Sequence, residues 1–179
     1  IFVLAVLAND LDQPATIIEC CVAFVAFSFA ASAIYILNDL IDLPLDRRHP
    51  TKRKRSIAAG LVSIPVALST AAALMLAATS ISLLLPILFQ IILASYVALT
   101  TAYSFFLKRM LLIDVLTLAG LYTVRVIAGA AATQIAVSFW LLAFSVFFFL
   151  SLALVKRFVE LDHNEVAASK AIAGRGYRV

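Results

Sequence analysis

The chain contains few of the residues on which many soluble sites depend. Its 179 residues include two cysteines, two histidines and one tryptophan, and charged residues make up only 13%. Cys20 and Cys21 are adjacent, and this spacing fits neither a metal knuckle nor a disulfide. His49 precedes Pro50 in a polar stretch and has no partner ligands at metal spacing. These scarcities argue against a disulfide framework, a zinc knuckle and histidine-based catalysis.

Hydrophobic residues replace the missing charge. They make up 64% of the chain, and the mean hydropathy is +1.08, which is far above the value for a water-soluble domain. A membrane span needs about 20 apolar residues. Five segments qualify, and they predict an all-α, polytopic transmembrane helix bundle: Pro14–Leu37, Val62–Leu85, Pro86–Phe106, Leu111–Thr133 and Ala136–Val155.

Both ends of the sequence predict a fragment of a larger bundle. The opening "IFVLAVLA" begins without Met and is too short to span, so we interpret it as the tail of a first helix. The basic end "GRGYRV" has no closing span after it. We therefore expect residues 1–179 to form a single transmembrane domain that is partial at both ends.

Basic residues are absent from alternate connections. Thirteen of the fourteen Lys and Arg residues lie in clusters at one predicted face, and the opposite connections contain none. The positive-inside rule makes the charged face cytoplasmic, in a multi-pass protein of the cell inner or plasma membrane. The basic clusters adjoin spans and are not interleaved with stacking aromatics, so we expect membrane lipids as partners and no nucleic acid.

An acid cluster, N-D-x-x-D-x-x-x-D, follows the first complete span at Asn38, Asp39, Asp42 and Asp46. On a helix, the three aspartates fall within an arc of about 60° and span about 10 Å. Such a stripe repels itself at a membrane boundary unless a cation binds it. Carboxylates that hold Mg²⁺ together with substrate phosphates fit this pattern. The alternative is a solvated helix end neutralised by its own bases, and Pro44 places Asp46 in doubt because it interrupts the helix.

The basic stretch "RRHPTKRKR" completes a predicted cytoplasmic segment, residues 38–60. With the acids screened by a metal, Lys52, Arg53 and Arg55 are candidates for holding phosphate oxygens. The same bases also fit a loop bound to anionic lipid headgroups. Both roles stay open.

Further polar residues lie along the later spans. Asp114 and Arg125 share a helix face but lie about 16 Å apart, so each needs a partner elsewhere. For Arg125, a structural partner and a substrate role are equally open. Lys108 lies at the interface, where it can reach a phosphate or only snorkel. Lys156 and Glu160 form an i, i+4 pair that is either a salt bridge or part of a functional site.

These motifs resemble the UbiA prenyltransferase family of membrane enzymes. The resemblance covers essentially the whole chain. N-D-x-x-D-x-x-x-D is complete, and the later residues Tyr103, Lys108, Asp114 and Arg125 fit the family's sequence pattern. The resemblance implies a bundle of nine transmembrane helices, of which this chain would contain the tail of the first to the sixth. It also implies Mg²⁺ bound between aspartates and a diphosphate-bearing donor.

One departure refines the resemblance. The family's usual second motif, Y-x-x-x-D-x-x-x-D, is replaced here by "KRFVEL". Together with "DRRHPTKRKRSIAAG", this sequence looks most like the decaprenyl-phosphate phosphoribosyltransferase branch, which moves phosphoribose from phosphoribosyl diphosphate to a polyprenyl phosphate. The implied catalytic and metal ligands are Asp39, Asp42 and Asp46. The implied phosphate-binding set is Asn38, Arg47, Lys52, Arg53, Arg55, Lys108, Arg125, Lys156 and Glu160.

Three other functions remain open. Prenyl transfer from a polyprenyl diphosphate to an aromatic or other acceptor would use the same acids. A transporter would need polar groups through the membrane midplane and discontinuous helices, whereas Arg125 is almost alone at depth. A lipid-binding membrane scaffold would bind headgroups without Mg²⁺-dependent chemistry.

Overall fold

The structure, a computed structural model, describes residues 1, 2, 6, 13–107 and 113–165. Within these ranges the regular elements are all helical, which confirms the predicted all-α class. A one-turn helix, α2 (Leu43–Asp46), and a 3-10 turn (Lys52–Lys54) follow the first long helix. The long helices are α1 (Pro14–Ile41), α3 (Ile64–Ser82), α4 (Ile87–Phe105), α5 (Ile113–Thr133) and α6 (Phe139–Glu165).

All five long helices are long and apolar enough to cross a membrane. Each overlaps one predicted span. Two of them are longer than the sequence predicted, because α1 continues to Ile41 and α6 continues to Glu165. The acid motif therefore begins on α1 itself, and Lys156 lies within α6. The predicted helix tail at residues 1–8 and the basic pair Lys108–Arg109 lie mainly or wholly outside the described residues.

Helix α1 lies at the centre of the bundle and packs against α3, α4 and α5. Its buried face consists largely of alanine, including Ala23, Ala26 and Ala30. Small side chains let helix backbones approach closely in a membrane, where packing rather than hydrophobic burial drives association. Larger side chains from α4 and α5, such as Phe89 and Leu121, fill the rest of this core.

Helix α6 packs against α5 at the edge of the described bundle. Val126 and Ala130 of α5 meet Leu141 and Phe149 of α6. Phe147 and Phe158 of α6 project outward and are more than two-thirds exposed. Exposed aromatic and aliphatic side chains of this kind suit a lipid environment.

The acid motif and the basic loop are anchored to the ends of α1 and α3. Leu43, Ile57 and Ala67 are buried together and hold the loop against the helices. Gly60 has a φ of +79°, a conformation that favours glycine, and it lies in the turn before α3. The loop is therefore part of the packed fold.

Candidate functional site

Asp39 and Asp46 are brought together by one cation of the basic loop. Nη1 of Arg55 donates hydrogen bonds of 2.8 Å to Oδ1 of Asp39 and of 2.8 Å to Oδ2 of Asp46. The Asp46 side chain is only 5% exposed, whereas those of Asp39 and Arg55 are 32% and 42% exposed. The first and last acids of the motif thus share a partly open, charged site.

Pro44 explains how Asp46 reaches this position. Proline has no N–H with which to continue the α1 hydrogen-bond ladder, and α1 ends at Ile41. The chain does not turn away, because the backbone N–H of Asp46 donates to the Asp42 carbonyl at 2.9 Å. The resulting short helix α2 keeps Asp46 on the same side as Asp39. Pro44 changes the helix but leaves the first and last acids together.

Asp42 lies between these two acids and caps the end of α1. Its side chain is half-buried, and its backbone N–H donates to the Asn38 carbonyl at 2.9 Å. Within the described ranges, no three acidic, histidine or cysteine side chains are close enough to hold one metal ion together. The predicted three-carboxylate metal site therefore stays a prediction, and the pair joined by Arg55 is Asp39 with Asp46.

The rest of the predicted phosphate-binding loop is mostly exposed. Arg47 and Arg53 are exposed beside the paired acids in sequence, and Lys52 is partly buried. The loop is braced by His49, whose Nδ1 lies 3.1 Å from Oγ1 of Thr51. His49 is therefore a residue of the loop between α2 and the 3-10 turn.

Asn38 faces a different environment from the basic loop. It lines a cavity of about 280 Å³ between α1, α3 and α4, together with Thr101 and Ser104. The remaining walls are apolar: Ile34, Leu37, Leu40, Ile41, Leu68 and Phe105. An apolar cavity thus opens one residue from Asp39.

Asp114 forms a second polar centre that is fully buried. Its Oδ1 accepts a hydrogen bond of 2.7 Å from the Tyr103 hydroxyl, and its Oδ2 accepts one from Nη2 of Arg157. Arg157 is only 4% exposed. The sequence predicted that Asp114 needs a partner on another element but did not identify Arg157, which it grouped with the basic cluster at the membrane face.

Arg125 forms a third polar centre at the junction of α1, α4 and α5. Its guanidinium lies 5.9, 5.8 and 5.2 Å from the ring centroids of Phe27, Tyr96 and Tyr122. Nη2 donates to the Tyr96 hydroxyl at 3.2 Å. Cation–π contacts of this kind stabilise a partly buried guanidinium among apolar helices. The structure thus gives Arg125 aromatic partners inside the bundle.

Of the phosphate-binding residues predicted in α6 and in the α4–α5 connection, the structure describes the side chain of Lys156 alone. Lys156 is exposed and lines a groove of about 260 Å³ between α5 and α6. The side chain of Glu160 and all of Lys108 lie outside the described part of the chain. Their predicted phosphate roles, and the Lys156–Glu160 pair, stay predictions.

Comparison with known proteins settles the family. A model of the UbiA prenyltransferase family matches residues 1–173. This chain belongs to the UbiA prenyltransferase family. The resemblance predicted from the acid motif is therefore confirmed, and with its five apolar helices this UbiA-family chain is an integral membrane protein.

Three relatives refine the comparison. The chain is 42% identical over 149 residues to the decaprenyl-phosphate phosphoribosyltransferase of Mycolicibacterium smegmatis, covering 83% of this chain and 47% of that protein. It is 37% identical over 169 residues to the enzyme of the same name from Corynebacterium glutamicum, covering 93% and 51%. It is also 41% identical over 177 residues to the uncharacterized protein y4nM of Sinorhizobium fredii, covering 99% and 34%. The chain thus spans about half or less of the length of these relatives.

Proposed function

We propose that the protein is a Mg²⁺-dependent membrane transferase that moves phosphoribose from phosphoribosyl diphosphate to a polyprenyl phosphate. The observation that carries this proposal is the meeting of Asp39 and Asp46 on one nitrogen of Arg55. Two carboxylates that hold a cation at the edge of a basic loop suit a site for a metal and a diphosphate. Family membership and the named relatives support the reaction class.

The residues present fit a magnesium ion. Carboxylate oxygens are its preferred protein ligands, and it is usually held by one or two carboxylates with substrate phosphates. Arg55 already occupies a cation's position between Asp39 and Asp46, and its 42% exposure leaves it free to turn toward an entering phosphate. We propose Asp39 and Asp46, the pair that Arg55 joins, as the carboxylates that would hold the metal, with Asp42 as the third ligand predicted from the motif. When bound, the metal would neutralise charge on the leaving diphosphate.

The basic loop would bind and orient the donor. Arg47, Lys52, Arg53 and Arg55 can donate charge-assisted hydrogen bonds to diphosphate oxygens. A phosphate oxygen of the lipid acceptor would attack the ribose anomeric carbon as the bond from that carbon to the diphosphate oxygen breaks. The acceptor oxygen is already ionised at neutral pH, so the step needs no strong general base. The mechanism therefore needs no general base from His49, whose Nδ1 contacts Oγ1 of Thr51 within the loop.

Localisation follows from the charge distribution. We propose that the acid motif and the basic loop, residues 38–60, face the cytoplasm from a plasma or inner membrane. We also propose that residues 1–179 form part of one transmembrane domain. The donor is water-soluble and the acceptor is a lipid, so a site at the membrane surface gives both substrates access.

The proposal is tested with the full-length protein in membranes. One reaction supplies labelled phosphoribosyl diphosphate with polyprenyl phosphate, and the other supplies polyprenyl diphosphate with an aromatic acceptor. We expect Mg²⁺-dependent product in the first reaction. Product in the second reaction alone would favour the alternative, prenyl transfer, which the family's name supports. Absence of Mg²⁺-dependent product from both would favour a transporter or a lipid-binding scaffold.

Substitution of the acids tests the site itself. Asp39→Asn, Asp42→Asn and Asp46→Asn should each lower turnover about 100-fold or more, because loss of a metal ligand removes several kcal/mol of charge stabilisation. Asp12→Asn is the matched control, since Asp12 lies in the stretch 9–13, which contains no Lys or Arg and which the positive-inside rule therefore assigns to the opposite membrane face. Full activity in any of the three motif variants, with normal membrane insertion, would remove that residue from the proposed site.

A further inference from the structure

Three helices meet at the buried carboxylate of Asp114. Asp114 lies in the first turn of α5, and its oxygens accept hydrogen bonds from Tyr103 in the last turn of α4 and from Arg157 of α6. The proposed reaction uses none of these three side chains. Apolar residues of similar volume often stabilise a buried site as well as an ion pair does. A hydrogen-bonded network adds direction, because its bonds form in only one arrangement of the three helices.

The last turn of α4 has different surroundings on its two sides. Thr101, Ser104 and Phe105 line the cavity of about 280 Å³ between α1, α3 and α4. On a helix, these residues lie about 100° to 200° around the axis from Tyr103, so Tyr103 is on the opposite side of α4. Side chains that border a cavity lack packing partners in that direction. The hydrogen bond from Tyr103 to Asp114 therefore holds this turn from its other side.

The opposite wall of the same cavity belongs to the acid motif. Asn38 of α1 lines it, and the Asn38 carbonyl accepts the backbone N–H of Asp42 at 2.9 Å. Asp39, the next residue, shares Arg55 with Asp46. A shift of the last turn of α4 would change the space beside Asn38. Misplacement of reacting groups by about 1 Å can lower a rate about 100-fold, even when its source is remote from the reaction.

We propose that Tyr103, Asp114 and Arg157 are positioning residues for the acid motif. Arg157 orients the Asp114 carboxylate, and Asp114 holds the Tyr103 hydroxyl. The last turn of α4 then fixes the cavity wall opposite Asn38. In this role, none of the three residues contacts a substrate. The effect on transfer rests on the proposed function, whereas the coupling between α4 and the acid motif concerns the fold alone.

A purely structural role of the network leads to a different expectation. The pair of Asp114 with Arg157 also attaches α6 to α5. If attachment were its whole role, turnover would fall only as far as the folded fraction of the protein falls. Positioning instead lowers the turnover of variants that remain folded.

The test compares variants of the full-length protein. Tyr103→Phe removes the hydroxyl and keeps the ring. Arg157→Met is made with and without Asp114→Leu, because the double variant removes the network and leaves no uncompensated charge. Thr123→Val is the matched control, since it removes a buried hydroxyl of α5 that bonds to the Ala119 carbonyl of the same helix. The thermal unfolding midpoint, hydrogen–deuterium exchange, kcat and KM are measured for each variant.

Hydrogen–deuterium exchange tests the coupling within the fold directly. Tyr103→Phe should raise the exchange rate of the backbone amides in residues 101–105 and 38–42 about tenfold, because one hydrogen bond to a charged group is lost. Thr123→Val should leave the exchange of both segments unchanged. Unchanged exchange of residues 38–42 in Tyr103→Phe would overturn the inference.

The kinetics of transfer test the effect on the acid motif. We expect Tyr103→Phe to lower kcat about tenfold or more and to change KM for either substrate less than about threefold. The double variant should regain part of its unfolding midpoint but none of its kcat. Recovery of kcat together with the midpoint would show that the network is only structural. The expected exchange pattern in a protein that performs neither transfer would support the coupling and reject only the proposed function.

Discussion

Asp114 of α5 and Arg157 of α6 form an ion pair in which both side chains are almost wholly buried, at 0% and 5% exposure. Removing one member of a buried pair leaves the other charge uncompensated and costs about 3–5 kcal/mol, whereas replacing both with apolar residues is often neutral. The pair joins the edge helix α6 to the rest of the bundle, so its loss should be felt as a loss of stability.

We therefore predict that Arg157→Met strongly lowers the thermal unfolding midpoint of the full-length protein. Adding Asp114→Leu to that variant should recover part of the loss, because it removes the uncompensated carboxylate but also removes the acceptor of the Tyr103 hydroxyl. Lys156→Gln, at the neighbouring exposed position, is the control and should leave the midpoint close to its original value. If the double variant were less stable than Arg157→Met, the pair would not be the main interaction at this position.

Arg55 and a divalent cation have overlapping requirements, because both need the oxygens of Asp39 and Asp46. Arg55→Gln should therefore strengthen Mn²⁺ binding in the absence of donor by about two- to fivefold, as expected for a partly exposed ion pair worth up to about 1 kcal/mol. Electron paramagnetic resonance of free Mn²⁺ measures this change. Lys54→Gln is the control for a general loss of positive charge. Weaker Mn²⁺ binding in Arg55→Gln would mean that Arg55 positions the acids for the cation and does not compete with it.

Tyr96 supports Arg125 in two separable ways. Its hydroxyl accepts a hydrogen bond from Arg125, and its ring lies against both the guanidinium and Phe27. Tyr96→Phe removes only the hydrogen bond and should cost about 1.5–3 kcal/mol, whereas Tyr96→Leu also removes the ring contacts and should cost more. Thermal unfolding compares the two variants. Equal losses would show that the ring contributes nothing measurable.

Two glycines with open space around them differ in backbone conformation, so substituting each by alanine isolates the effect of that conformation. Gly60 has a positive φ and open space around it, so Gly60→Ala should destabilise the loop by about 1–2 kcal/mol through backbone strain alone. Gly120 is helical with equally open surroundings, and Gly120→Ala should be neutral or stabilising by up to about 1 kcal/mol. Chemical denaturation of the full-length variants distinguishes the two. A loss in Gly120→Ala as large as that in Gly60→Ala would point to unrecognised packing around α5.

The sequence predicted the helices better than the contacts between them. Composition and span length were enough to locate five helices, because a bilayer requires long apolar segments. The spacing of Asp39 and Asp46 predicted a shared face, although Pro44 made the last acid uncertain until the short helix α2 was seen. The burial of Arg157 and its pairing with Asp114 could not be predicted from the adjacent sequence. Lys156, the residue beside Arg157, is exposed, and Asp114 lies 43 positions before Arg157 in the chain. Only a period-3.6 comparison of α5 and α6 as a packed pair would have suggested this contact.

The buried pair between α5 and α6 has a consequence for biogenesis. Asp114 lies in the first turn of α5, and Arg157 lies near the end of the apolar span of α6, so the pair joins the two helices at the same end. Asp114 is synthesised 43 residues before Arg157, so its carboxylate has no Arg157 partner until most of α6 has been made. We expect α5 and α6 to lock together at this end only once α6 is complete.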